Sequence, residues 1–204
     1  MRARRTPWRG AGFSVVDLET TGLDPQRDEI ISYAAIPVDE GRVRPSGLVA
    51  GIVRPERMPP PETIRIHGLR PADLEDAPPL DAVLDELLGA MAGRILVAHV
   101  AAIEREFLGR ALRARGERLS SPVIDTARMA EAVLGRDESG RPLALDVVAS
   151  RLGLPVHRRH HAEGDALTTA QAFLALARAL EKRRPQTVRS LSRGGRRWLF
   201  GRWP

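Results

Sequence analysis

Cysteine is absent from the 204 residues of this chain. Its absence removes disulfides, thiolate zinc sites and cysteine nucleophiles together, and it fits a reducing compartment. No apolar run approaches the ~20 residues of a membrane span. The opening "MRARRTPWRG" carries charges without the apolar stretch that a secretory signal needs after them. These absences lead to the expectation of a cytoplasmic protein with no membrane partner. Aromatic residues make up only 4%, yet an apolar content of 43% leaves enough for the core of one ordinary domain.

What is present is unevenly charged. All 26 acids lie between Asp17 and Glu181, whereas four of the 32 bases fall in residues 1–12 and eight in residues 182–204. Residues 13–181 therefore hold 20 bases against 26 acids, an acidic body inside a chain of net charge +6. Basic ends beside a carboxylate-rich centre suggest arms that touch a polyanion. A solvated tail in a chain that prefers arginine reads equally well. The expected organisation is a basic N-terminal arm at 1–11, a domain at 12–182, and a basic, aromatic-containing tail at 183–204. The tail's "RSLSRGGRRWLFGRWP" interleaves arginines with Trp198, Phe200 and Trp203. That combination grips single strands through phosphate contacts and stacking. Docking onto a polymerase or another protein, or plain disorder, remains open for the same residues.

The pattern along the chain changes midway. "FSVVDLET" reads as a strand, "DEIISYAAIPVDEGRV" as a second strand and a turn at Glu40-Gly41, and a third strand runs on to about Val53. A proline-rich loop over 54–79 is expected on the surface. Helical and strand periodicities then alternate: helix 80–91, strand 94–99, helix 101–116, strand 122–126, and helices near 126–134 and 143–152. A last helix over 164–182 places Leu167, Ala170, Leu174 and Ala177 on one stripe. A meander followed by alternating strands and helices makes an α/β three-layer domain with a mixed five-stranded sheet.

Four places put acids or histidines where a strand ends or a helix begins. Asp17 and Glu19 stand two apart on the first strand, so both carboxylates project from one face. Glu104 falls in the first turn of the helix after "ILVAH", Asp125 ends a short strand, and His160, His161 and Asp165 cluster before the last helix. Singly, each has a structural account: a solvated strand end, a helix cap, a first-turn acid, a solvated histidine loop. In open α/β sheets, strand carboxyl ends and helix starts converge on one crevice. Four carboxylates around one point require cations, and all-oxygen ligands favour Mg²⁺ or Mn²⁺ over zinc. A zinc group of His157, His160 and His161 lacks a firm spacing.

The order D-x-E-T-T-G-L, "IHGL", "LVAH" with "EREFL", and H-x4-D-A resembles the DEDDh 3′-to-5′ exonucleases. That group includes the proofreading epsilon subunit of bacterial DNA polymerase III, ribonuclease T and oligoribonuclease. The resemblance covers roughly residues 12–180 and implies a ribonuclease H-like fold. It implies Asp17, Glu19, Glu104 and Asp165 as ligands of two Mg²⁺ or Mn²⁺ ions, and His160, five positions before Asp165, as general base. Thr20, Thr21, Gly22, Leu23, His67 and His99 match the segments that hold the terminal nucleotide. The implied partners are single-stranded DNA or RNA 3′ ends. Where the family usually reads A-H-N-A-x-F-D, this chain has Val100, Ile103 and Glu104. Glutamate in place of aspartate moves the carboxylate oxygens by ~1.5 Å, against a tolerance of ~0.5 Å for catalytic groups. An exonuclease of DNA or of RNA, and a nucleic-acid-binding module with a degenerate metal site, are the readings left to separate.

Overall fold

The computed structural model describes residues 6–119 and 123–192. The apolar opening run forms β1 (Phe13–Thr20), and the turn after it reverses the chain into β2 (Ile30–Asp39). These pair antiparallel, with Val15 opposite Ile36 and Asp17 opposite Ala34. The ladder shifts register between Glu19 and Thr20. Irregularities of this kind bend a strand and re-aim its side chains, and this one follows directly on the paired acids.

The expected third strand is two pieces, β3 (Arg42–Val43) and β4 (Val49–Ile52), both paired with β2. A 3-10 turn at Pro45–Gly47 separates them. A proline cannot donate to a ladder, which accounts for the break. On the other side of β1, β5 (Ile95–Ala98) and β6 (Val123–Asp125) add in parallel. The sheet thus has six strands in the order β3-β2-β1-β5-β6, with β4 also on β2.

The stretch expected as a surface loop holds two short helices, α1 (Pro61–His67) and α2 (Pro71–Leu74), each opening on a proline. A proline at the first helical position gives up only an amide that has no partner there. Leu74 and His67 are buried rather than exposed. The remaining helices are α3 (Leu80–Met91), α4 (Ala102–Ala114), α5 (Thr126–Leu134), α6 (Leu145–Arg151), α7 (Ala162–Arg183) and α8 (Val188–Ser192). Among the described residues, no helix is long and apolar enough to cross a membrane.

Alternation along β1 divides the core. Val16 and Leu18 pack with Leu87 and Met91 of α3 and with Phe107 and Leu108 of α4. Phe13 and Val15 face the other way, onto Met129 of α5, Val148 of α6 and Phe173 of α7. Asp17 and Glu19 continue the Phe13–Val15 face, so they project toward α7. The stripe of α7 that meets the sheet is Ala166, Ala170, Phe173 and Ala177, all fully buried, with Leu167 and Leu174 flanking it. The expected stripe is therefore rotated, because alanines allow the closest approach of helix and sheet.

Residues 6–11 and 186–191 pack against the domain. Trp8 is fully buried, sits edge-on to Phe173 with ring centroids 6.1 Å apart, and donates its indole N–H to Glu181 at 2.8 Å. The Arg9 guanidinium reaches the same carboxylate at 2.6 Å. The Trp8 amide bonds the Gln186 carbonyl, the Val188 amide bonds the Thr6 carbonyl, and Val188 and Leu191 are buried. The packed residues therefore begin before residue 12 and continue past 182. Tail residues 193–204, with Trp198, Phe200 and Trp203, and residues 1–5 lie outside the described residues. Trp8→Ala is expected to cost about 3–5 kcal/mol, the usual range for deleting a buried tryptophan. Chemical denaturation measures this, and a loss below about 1 kcal/mol would return residues 6–11 to the status of an arm.

Candidate active site

Asp17 and Glu19 reach the site from the end of β1, and Asp165 from the first turn of α7. One carboxylate oxygen of each lies within 4.8 Å of the others. Asp165 is 4% exposed; its Oδ2 accepts the backbone N–H of His160 at 2.9 Å and faces the Arg159 guanidinium at 3.4 Å. Its Oδ1 is buried with no partner. Glu104 lies beside this trio, in the first turn of α4, also buried, with Oε2 unpartnered. It is not one of the three acids within 4.8 Å, and its link to them is electrostatic: its charge acts on Asp17 and that of Glu19 acts on it.

The electrostatics follow from that crowding. Burial, then the charges of Glu104, Glu19 and Asp165, hold the Asp17 carboxyl well above the usual range. Burial and the Asp165 charge push Glu19 up to about 7. Glu104 is pushed up to about 8, chiefly by burial, with the charges of Asp125 and Glu19 adding. Unpartnered buried oxygens and carboxyls driven toward their neutral forms are what a divalent cation relieves, so the donor set fits one.

The loop from α6 to α7 brings the histidine. His160 adopts a left-handed φ of 60°, which turns its amide onto Asp165. Its ring borders a cavity of about 420 Å³ shared with Glu19, His67 and His161. Burial lowers the His160 pKa, and the Arg159 charge lowers it further against Asp165 and Asp146. The balance favours its neutral form. Gly164 is what lets this loop cross α7, since a Cβ there would lie 2.3 Å from the His157 carbonyl oxygen. The His157 ring bonds Gln171, and among the described residues the group suited to a metal is the carboxylate trio, not the three histidines.

The expected nucleotide contacts divide. Thr21 is buried, its hydroxyl donating to Asp28 and accepting from the Glu29 amide, and Thr20 donates to the Gly22 carbonyl. Both hydroxyls shape the turn. Gly22 is fixed by the same turn, because a Cβ would come within 2.4 Å of Asp28 Oδ2. Leu23 is 71% exposed and free to meet a ligand. His67 Nδ1 accepts the Leu69 amide, which stabilises its loop, while Nε2 is buried and unpartnered at the wall of the cavity. In His99, Nε2 donates to the Leu143 carbonyl, Nδ1 meets Thr126, and burial pushes its pKa down to about 4. It ties β5 to the α5–α6 region, and its ring nitrogens are already taken.

Three residues with a part in the site carried little signal in the sequence. Arg159 and Asp146 form an ion pair at 3.6 Å beside Asp165, and Gly164 sits inside the H-x4-D spacing. Asp125, readable as site acid or as cap, caps α5 through the Ala127 amide and also holds the Val100 amide at 3.2 Å. Val100 has a φ of 59°.

Residues 14–173 match the exonuclease family RNase_T. The chain is 36% identical over 181 residues to a DNA polymerase III subunit epsilon-like protein of Rhodobacter capsulatus, covering 87% of this chain and 25% of that protein. It is 35% identical to a PolC-type DNA polymerase III of Thermotoga maritima, of which it covers 12%. To the DNA polymerase III subunit epsilon of Treponema pallidum it is 32% identical, over 80% of this chain and 75% of that one. Among solved structures, Exonuclease X in complex with 5′ overhanging duplex DNA superposes with a TM-score of 0.71 at 21% identity, over 89% of this chain and 98% of the other. The fold is the α/β, ribonuclease H-like fold of such exonucleases, and the chain belongs to the exonuclease family.

Two expectations follow. Without metal, the folded state keeps protons on Glu19 up to about pH 7 and on Glu104 up to about pH 8, which the unfolded chain has released above 4.5. The folded state then binds more protons, so stability falls as pH rises from about 5 to 8. Melting in EDTA at pH 6 and pH 8 measures this: the lower Tm is expected at pH 8, with Mn²⁺ restoring it, and a flat Tm would contradict the buried-carboxylate account. Second, a β-branched residue in the left-handed region is strained by about 1–2 kcal/mol. Val100→Asn, which tolerates that region, is expected to raise stability by about 1 kcal/mol; a loss in denaturation would mean that Val100 packing outweighs the strain.

Proposed function

We propose that the chain is a metal-dependent 3′-to-5′ exonuclease that releases 5′-mononucleotides from the 3′ ends of single-stranded DNA. The observation that carries it is the convergence of Asp17, Glu19 and Asp165 within 4.8 Å, with the His160 amide bonded to Asp165. Bound at that trio, two Mg²⁺ or Mn²⁺ ions supply charge neutralisation for a phosphodiester and acidify a water at neutral pH. Asp17 and Glu19 would hold the ions from the strand and Asp165 from the first turn of α7, with Glu104 as a further acid beside them. His160 takes a proton onto its imidazole, which its lowered pKa leaves vacant at pH 7. Leu23 offers an apolar surface for the terminal base, and His67 Nε2 a polar group at the cavity wall.

DNA is preferred to RNA because relatives bear the names of DNA polymerase III subunits and structural neighbours hold DNA. The chain spans 25% and 12% of the first two relatives described, so association with a polymerase belongs to the proposal too. Residues 193–204 are its candidate contact. Action in the cytoplasm fits the cysteine-free composition.

The test is nucleotide release from labelled single-stranded DNA and RNA of matched sequence, with Mg²⁺ or Mn²⁺. Asp17→Ala and Asp165→Ala are expected to abolish release with circular dichroism unchanged. His160→Ala is expected to lower turnover by about 10²–10⁴, the usual share of a general base. Faster release from RNA would move the substrate to RNA, and no release from either would overturn the proposal.

A further inference from the structure

The carboxylate site contains a cation of its own. Arg159 lies one residue before His160, with Nη1 3.4 Å from Asp165 Oδ2 and Nη2 3.6 Å from Asp146 Oδ1 in the first turn of α6. Its side chain is 32% exposed, so the guanidinium is held between the two acids rather than extended into water. We propose that Arg159 is a built-in counter-ion of this site, which steadies the carboxylates before divalent ions load and thereby sets how tightly those ions are held. The inference rests on the metal-site reading above.

Two features support it. The field of Arg159 opposes the mutual repulsion of the acids at both Asp17 and Glu19, so its charge acts on the whole trio and not on Asp165 alone. And the arginine meets only one oxygen of Asp165, the one already bonded to the His160 amide, leaving Oδ1 buried and unpartnered. The guanidinium thus neutralises the site without occupying the donor atom that an incoming ion would use.

Removing Arg159 has two opposed consequences. It loosens the orientation of Asp165, which weakens ion binding, and it removes a positive charge 3.4 Å from a carboxylate of the site, which strengthens it. One hydrogen bond to Oδ2 is replaceable, since the His160 amide remains. A unit charge repelling a divalent ion through a medium of effective dielectric near 20 is the larger effect. Arg159 is therefore a restraint on metal affinity, and Asp146 moderates it by drawing off part of the positive charge.

The test is Mn²⁺ binding to the full chain without substrate, followed by the paramagnetic resonance signal of the free ion, together with Tm in EDTA. Arg159→Gln is expected to bind Mn²⁺ about tenfold more tightly and to melt lower in EDTA, because the acids lose their counter-ion. Arg159→Lys, which keeps the charge, should stay within about twofold of the unaltered chain. Asp146→Asn should bind Mn²⁺ more weakly, since Arg159 then acts on the trio undiluted. Equal or weaker binding by Arg159→Gln overturns the inference, as does a lysine variant that behaves like glutamine. If Arg159→Gln does not fold, Asp146→Asn decides alone, and equal or tighter binding there overturns it. An unaltered chain that binds no Mn²⁺ at all refutes the metal-site reading itself, and the inference with it.

Discussion

The constraint on which the rest of this structure depends is the repulsion among carboxylates that the fold forces together. Asp17, Glu19 and Asp165 meet within 4.8 Å, with Glu104 buried next to them, in a region where burial is the largest influence on Asp17, Glu19 and Glu104. Burying an unpaired charge is among the costliest acts in folding, and groups so placed take up protons instead. The raised pKa values of Glu19 and Glu104 are that response. A site of this kind is stored electrostatic tension, tolerable only because a large core on both faces of the sheet outweighs it.

That core is arranged so that the tension falls at one point. The fully buried alanines of α7 bring the helix close against β1 and β2, and a close helix puts its first turn, with Asp165, over the end of β1. Gly164 then allows the preceding loop to cross that turn. A larger side chain at either place would push the helix or the loop outward by more than the tolerance of a catalytic contact. At the far end of α7, Trp8 and Glu181 clamp the same helix to the N-terminal segment. The helix is thus fixed at both ends, which makes the position of Asp165 a property of the whole domain.

Much of this was legible in the sequence where a pattern was local. The D-x-E pair declares its geometry through the two-residue period of a strand, and the H-x4-D spacing places His160 and Asp165 together at a helix start. What was not legible depends on partners distant in the chain. Nothing near His99 announces that its nitrogens meet Thr126 and the Leu143 carbonyl, and Trp8 reads as part of a basic arm until Phe173 and Glu181 are beside it. The rotated stripe of α7 is a similar case, because periodicity marks an apolar face but not which small residues on it make the closest approach.

The glutamate at 104, where the family carries aspartate, has a physical account in the same terms. Burial is the chief cause of its raised pKa, with the charges of Asp125 and Glu19 adding, and its own backbone amide opposes the rise. The neighbouring Val100, held in a left-handed turn by Asp125, sets where α4 begins and hence where that amide stands. The departures from the family pattern, Val100, Ile103 and Glu104, thus occupy one short segment. Glu104 acts on Asp17 through its charge and stands outside the trio whose oxygens come within 4.8 Å of one another.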